Sequence, residues 1–354
     1  MDTEIIVAII GLFGAILYLF ATARINKTPE APGESSTSTP PKPIDTSYLV
    51  GIGLISLCAL LFALQHVVAK YVINVSGSPA FSVAVRNLVS GAFIIGIAFV
   101  ARCFSKERSD GVRFDLDSWV MVGGRCLSGL CYFSALVYLT ATEVTSLYKL
   151  NPIYTLVILV ALAPLKAKAV DLINLVIGTF IAVLGALVVV ANPSSEIGIT
   201  LPWVGVILMV LAGIFWSLFI VASRRHESTG LGKAPFWQRQ QHIGLVYLYG
   251  AVPVIILFVA RLATGQEPLV QTQSLIPLVF LGLLSGAIGL LYFEALKRIS
   301  ALLASIIVGF EIFFTIVIEK CILGEPVTLH LFVGAALVMV GAVGVSRETR
   351  KLQL

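Results

Sequence analysis

Phe133-Ser-Ala-Leu136 and Phe293-Glu-Ala-Leu296 open two stretches of this chain that follow the same plan. Each tetrapeptide leads into a short turn with Thr or Ser beside Ala, then a long apolar segment, a break, and a last apolar segment carrying glycines at a fixed interval. Gly178 and Gly185 in the first stretch match Gly334 and Gly341 in the second. Self-similarity on this scale marks a chain built by duplication. Duplicated apolar bundles are the usual architecture of secondary transporters.

The composition says what the duplicated unit is made of. Of 354 residues, 58% are hydrophobic and only 12% charged, with a mean hydropathy of +0.98. A soluble domain could not hide so much apolar surface, so the bilayer is the solvent. Runs with few or no charges cover 5–21, 48–73, 80–101, 119–139, 144–163, 172–191, 201–221, 243–260, 275–293, 301–318 and 327–345. Each approaches the roughly 20 residues a helix needs to cross the hydrocarbon, with tilt absorbing the difference. The expected fold is all-α and integral to the membrane: a ten-helix core of two inverted five-helix repeats, plus one extra N-terminal transmembrane helix. The expected boundaries are an anchor at 1–22, a flexible Pro-, Ser- and Thr-rich linker at 23–47, repeats at 48–191 and 201–347, and a tail at 348–354. Ala21-Thr22-Ala23 imitates a signal-peptidase site, but Asp2 and Glu4 precede the first run and Arg24 follows it. That polarity favours an uncleaved anchor with its N-terminus outside.

Charge distribution sets the orientation. Assigning alternate loops to one side collects eighteen Lys and Arg there, against only Arg261 and Lys320 opposite. The positive-inside rule then puts both ends of the core in the cytoplasm of an inner or plasma membrane. An odd number of helices per repeat makes the halves inverted. The net charge of +5 is thus a matter of topology, and no nucleic-acid partner is expected. The five cysteines lack CxxC spacing and fall mostly in apolar runs, so neither a metal site nor a disulfide framework is expected. No cofactor is expected, and no Walker A loop occurs. A homodimer is left open.

Seven ionisable residues sit inside or near the ends of core helices: Lys70, Arg86, Arg125, Lys149, Glu294, Glu311 and Glu319. Each must face a cavity or a partner, or reach the interface. Lys70, near a helix end, is expected to snorkel. Glu311 lies about ten residues into its helix, roughly 15 Å at 1.5 Å per residue, close to the middle of a 30 Å core. Its repeat mate is Asn151, next to the helix-breaking Pro152. Tyr148, Asn151 and Thr155 share one helix face, and Glu311 and Thr315 another. These five, with Arg86, Lys149 and the deep Trp216, form the expected substrate-facing surface, and His66 and Gln65 line the same pathway. The bland alternative is polar glue between helices. Trp119, Trp203 and Trp237 fall at expected interfaces. The glycine pairs are expected to seat the fourth helix on the fifth and the ninth on the tenth. Cations concentrate in the first repeat and carboxylates in the second, so Arg125 with Glu294, and Arg86 or Lys149 with Glu319, are expected gate pairs. The cation left in excess favours a substrate with an anionic or zwitterionic group.

The residues resemble the EamA-type branch of the drug/metabolite transporter superfamily. Phe133-Ser-Ala-Leu-Val-Tyr138 followed by Leu150-Asn-Pro152 is similar to its third and fourth helices. Tyr292-Phe-Glu-Ala-Leu-Lys-Arg-Ile-Ser-Ala301, Phe310-Glu311 and Leu323-Gly-Glu-Pro-Val-Thr328 repeat the pattern, while 62–70 with Arg86, and 214–217 with Arg224 and Arg225, match the first two helices of each repeat. The resemblance covers about 48–347 and leaves the N-terminal segment outside. Here Glu311-Ile312 replaces the family's Glu-Pro in the ninth helix, so a break there does not follow from the sequence. The resemblance implies a secondary transporter that exports small organic metabolites such as amino acids by alternating access. Proton coupling would run through Glu311. Transport of phosphorylated or nucleotide-linked metabolites is the alternative. An intramembrane enzyme would need a buried nucleophile–base pair or a metal cluster, and neither HExxH nor GxSxG occurs. A channel or a non-transporting receptor is disfavoured by the repeat symmetry.

Overall fold

The computed structural model describes residues 46–105, 114–162, 169–190, 202–228, 234–266, 272–296, 298–299 and 307–351. The expected N-terminal helix, and the linker up to residue 45, lie outside the described residues. All regular structure among the described residues is helical. The helices are α1 Thr46–Ser76, α2 Pro79–Cys103, α3 Leu116–Ala135, α4 Ala141–Tyr148, α5 Asn151–Leu162, α6 Ala169–Val190, α7 Pro202–Ser228, α8 Phe236–Ala263, α9 Leu275–Leu296, α10 Glu311–Leu323 and α11 Leu329–Lys351. Helices α4 and α5 are the two halves of one broken helix, so the described residues form ten helices. Among the described residues, five segments are long and apolar enough to cross a membrane, in α1, α2, α7, α8 and α9.

The two halves pack as one design used twice. Exchange the first repeat (α1, α2, α3, α4–α5, α6) with the second (α7, α8, α9, α10, α11), and the main helix contacts map onto one another. The α3–α7 contact becomes α9–α1, α5–α7 becomes α10–α1, and α3–α8 becomes α9–α2. The pairs α2–α8 and α6–α11 map onto themselves and so mark the pseudo-symmetry axis.

Small residues make the axis contacts possible. Lipid is as apolar as leucine, so helices associate through close packing rather than a hydrophobic drive. A Cβ on Gly185 would lie 2.5 Å from the Val338 amide and 2.7 Å from the Gly334 carbonyl. One on Gly341 would run into Ala182 backbone, with the Gly178 carbonyl at 2.5 Å. This corrects the expectation for these glycines: they seat α6 on α11, not the fourth helix on the fifth. The reason is symmetry, since an element lying on a two-fold axis meets its own mate and needs a self-complementary face.

Both fourth helices are interrupted at the same register. In the first repeat the Leu150 amide bonds the Leu147 carbonyl at 3.1 Å and Ile153 bonds Leu150 at 2.9 Å, a 3₁₀ tightening around Pro152, which has no N–H to give. In the second, Phe310 bonds Ile307 at 3.1 Å and α10 begins at Glu311, although Ile312 stands where the family has proline. The break therefore survives loss of the proline.

Two expectations about the membrane surface divide. Trp119 and Trp203 are exposed, whereas Trp237 is buried with the Arg102 guanidinium 5.1 Å over its ring. All five cysteines are free.

Because the Cβ of a larger residue at 341 has only backbone to displace, Gly341→Val should destabilise the bundle by about 2–3 kcal/mol. Gly96→Ala, where nothing lies within 4 Å of the new Cβ, should be neutral or slightly stabilising. Thermal unfolding in detergent micelles compares the two; equal melting temperatures would dismiss the α6–α11 contact as a structural determinant.

Candidate substrate site

Glu311 is the centre of the buried polar cluster. Its carboxylate is only 1% exposed. Lys149, at the first-repeat break, donates to Oε2, and His66 of α1 brings Nε2 to 2.8 Å from Oε1. The carboxylate must accept, so Nε2 carries the proton; in a neutral imidazole Nδ1 then accepts from the Tyr132 hydroxyl at 2.6 Å. Tyr148 closes the cluster with ring contacts to His66, Tyr132 and Trp216 at 5.9, 6.2 and 6.0 Å. A buried carboxylate is tolerable only with partners of this kind. Lys149 comes from one helix break and Glu311 from the other, so the pair ties the repeats together at their symmetry-related weak points.

The rest of the expected surface divides. Thr315 is buried and spends its hydroxyl proton on the Glu311 carbonyl at 2.8 Å, one turn back in its own helix. Thr155 donates to Ser217 at 3.0 Å, and Ser217 donates to the Asn151 carbonyl at 3.3 Å. These contacts fasten α5 to α7, the role of glue rather than site. The Asn151 side-chain oxygen is buried with no hydrogen-bond partner. Trp216 lies half-buried, stacked on Phe219 at 5.0 Å, with the Arg125 guanidinium 5.5 Å from its ring.

Neither expected gate pair is formed. Glu294 pairs with Arg298 one turn along at 2.9 Å, while Arg125 donates to Ser285 at 3.2 Å and lies 4.2 Å over the Tyr247 ring. Glu319 reaches neither Arg86 nor Lys149. It accepts from the Ala141 amide at 2.6 Å, the Thr142 amide at 2.9 Å and the Thr142 hydroxyl. The start of α4 exposes donors with no intrahelical partner, and a carboxylate there also meets the positive end of the helix dipole. Lys70 does not snorkel either: it is buried and donates to the Leu136 carbonyl at 2.7 Å, one of the orphan acceptors at the end of α3. Helix termini, not opposite side chains, neutralise these two charges.

At the opposite end of α3 a different cross-repeat contact takes the place of the inner gate. Asp115 caps α3 by accepting from the Ser118 amide at 2.8 Å and hydroxyl at 2.6 Å, and it meets His226 of α7 at 2.8 Å. The His226 and His242 rings stack at 4.4 Å. Slight burial opposes ionisation of Asp115, but Ser118 and His226 outweigh it and hold the carboxyl down at about 2. A depressed folded-state pKa contributes stability above the ordinary value and loses it as pH falls through the folded one. Asp115→Ala should therefore cost about 1 kcal/mol at neutral pH, the usual worth of an N-cap. The gap in melting temperature from wild type should close as pH drops from 3.8 towards 2. A gap that persists at the lowest pH would separate the cap from its charge.

Sequence reasoning placed Glu311, Lys149 and Tyr148 together and named His66, but it missed Tyr132, Tyr247, Asn87 and Ser285. Tyr132 directly precedes the repeated Phe133 tetrapeptide, so its place beside a landmark was the available signal. The other three carry none.

The chain matches the EamA-like transporter family in two tandem units, at residues 49–191 and 203–347. It is 20% identical over 302 residues to an uncharacterized transporter of Clostridium kluyveri, a match spanning 83% of this chain and 92% of that protein. A solved crystal structure shares 19% identity and a TM-score of 0.56, covering 86% of this chain and 99% of its own, a likeness of fold alone. Two family units spanning most of the chain, on apolar helices around a buried polar centre, identify a multi-pass membrane transporter: the chain belongs to the EamA-like transporter family.

Proposed function

We propose that this protein is a secondary active transporter of small organic metabolites, coupled to protons through Glu311 and working by alternating access between inverted repeats. One observation carries the reading. The interior carboxylate is held between Lys149 and His66, each from a different helix, and both Lys149 and Glu311 sit at helix interruptions. Broken helices at the repeat interface are where transporters of this general design hold substrate and coupling ion. The Tyr132–His66–Glu311 chain supplies hydroxyl, imidazole and carboxylate in hydrogen-bond contact, so a proton reaching Glu311 releases Lys149 and loosens the join between repeats. Export is the direction that the family resemblance implies, and the charge bias of the loops favours cytoplasmic core ends.

The coupling role is tested in proteoliposomes under an imposed pH gradient, with labelled amino acids and organic acids. Glu311→Gln is expected to abolish gradient-driven accumulation, by ten-fold or more, while leaving counterflow exchange measurable. Gradient dependence unchanged in the variant removes Glu311 from coupling; no exchange of any compound by wild type overturns transport itself.

Orientation has its own test. Impermeant thiol reagents added outside should label cysteines introduced at Glu196 and Glu267, and not at Arg108 or Lys233. The reverse pattern would overturn both the orientation and the inverted arrangement.

A further inference from the structure

Two guanidinium groups in the interior have no carboxylate. Arg86 of α2 and Arg125 of α3 are 4% and 6% exposed, and among the described residues no ion pair reaches either one. Arg86 donates to the Asn87 side-chain oxygen Oδ1 at a long 3.4 Å and lies 4.9 Å over the Phe133 ring. Arg125 has Ser285 and the faces of Tyr247 and Trp216. The Nε groups of both arginines and Nδ2 of Asn87 are buried with no hydrogen-bond partner. Arg125 Cγ and Asn87 Nδ2 each lie 3.9 Å from where a Cβ on Gly250 would stand, so Arg125 and the Arg86–Asn87 pair meet at the same point of α8. The interior carboxylates do not relieve them, because Glu311 is committed to Lys149 and His66 and Glu319 to the amides at the start of α4.

Two like charges buried side by side, each with an unused donor, form half of a charge pair. A zwitterion answers this poorly, since it brings an ammonium of its own into the same space. A monoanion leaves one positive charge uncompensated. A doubly charged oxyanion neutralises both and accepts from planar guanidinium forks in the geometry they favour.

We infer that Arg86, Arg125 and Asn87 form the binding site for a small organic dianion, a dicarboxylate or a phosphate monoester, with its organic part against Tyr148, Trp216 and Tyr247. The inference rests on the transporter reading and names its substrate class. Arg125 thereby becomes a binding residue instead of a gate.

The test uses the purified full-length chain in detergent, with succinate, glycerol 3-phosphate, alanine and sodium chloride at matched ionic strength. Melting temperature and tryptophan fluorescence are the readouts. Succinate, glycerol 3-phosphate or both should raise the melting temperature and change the fluorescence, and Trp216→Phe should remove most of the fluorescence response. A response to one of the two names the class. Arg86→Gln and Arg125→Gln should each weaken binding at least ten-fold, whereas Arg102→Gln, at the Trp237 contact, should bind as wild type does. If the Gln variants do not yield monodisperse protein, Arg86→Lys and Arg125→Lys carry the test: charge is kept and the fork lost, so binding should weaken at least three-fold. The inference is overturned by the absence of any dianion response in folded protein, by unchanged binding in the arginine variants, or by an equal response to alanine. Alanine exchange in proteoliposomes without dianion binding would overturn this inference and leave the transporter reading standing. Dianion binding without exchange would do the opposite.

Discussion

The burial of one carboxylate, Glu311, constrains how the two halves of this chain can meet. Deep in an apolar bundle an ionised carboxylate is unacceptable alone and tolerable with a cation and a hydrogen bond. Lys149 and His66 supply them, and each demands a particular geometry. Lys149 must sit at the end of α4, where the first-repeat helix is interrupted, and His66 must face inward from the middle of α1. The contact between α10 and α1, and the one between α10 and α4, then follow from satisfying a single charge. The duplication supplies a symmetric scaffold, and this carboxylate breaks the symmetry, because its mate at 151 is a neutral asparagine.

The molecule keeps its two kinds of contact apart. Where α6 meets α11, and where Gly91 meets Gly244 between α2 and α8, backbone lies against backbone with no room for a methyl group. Such contacts have no adjustable part: any sliding produces overlap, so they suit a fixed axis. Around Glu311, Arg86 and Arg125 the contacts run instead through long side chains and aromatic faces, which can exchange partners by rotamer change. The helices that carry the centre are also the least regular. Helices α4, α5 and α10 are short because they are interrupted. Helix α3 falls outside the segments apolar enough to cross a membrane, because Arg125, its serines and its glycines lower its hydropathy, and most of them are buried in the bundle. On the binding reading, polarity in α3 is the cost of lining the site.

The sequence made the scaffold legible and left half of the electrostatics hidden, for a physical reason. The duplicated Phe133 and Phe293 tetrapeptides, the glycine intervals and the apolar runs are periodic, and periodicity survives in one dimension. Depth along a helix also survives, which is why Glu311 could be placed at the centre. Pairing by opposite sign did not. Lys70 and Glu319 found helix ends, a carbonyl in one case and amide donors in the other. A helix end offers its charge through the backbone, which every residue possesses, so no letter of the sequence marks it. The glycines were misassigned for a related reason: spacing says that a face is small, not which helix will use it, and only the two-fold relation decides that α6 meets α11.

The same comparison explains why the two arginines stand apart from the other interior charges. Glu311, Glu319, Glu294 and Lys70 each end on a partner that the fold itself provides, whether side chain or backbone. Arg86 and Arg125 end on rings, a serine and a distant amide, which accept partial charge without neutralising it. Folding alone gains little from that arrangement, since a leucine in either place would pack as well and need no desolvation. On the transport reading the imbalance has a use. A site already neutralised within the protein must break a pair before it takes an anion, whereas aromatic faces hold a guanidinium in place and leave its strongest interaction unspent. The interior charge then changes sign of purpose with occupancy: repulsive between the arginines when empty, and cohesive across α2 and α3 when filled.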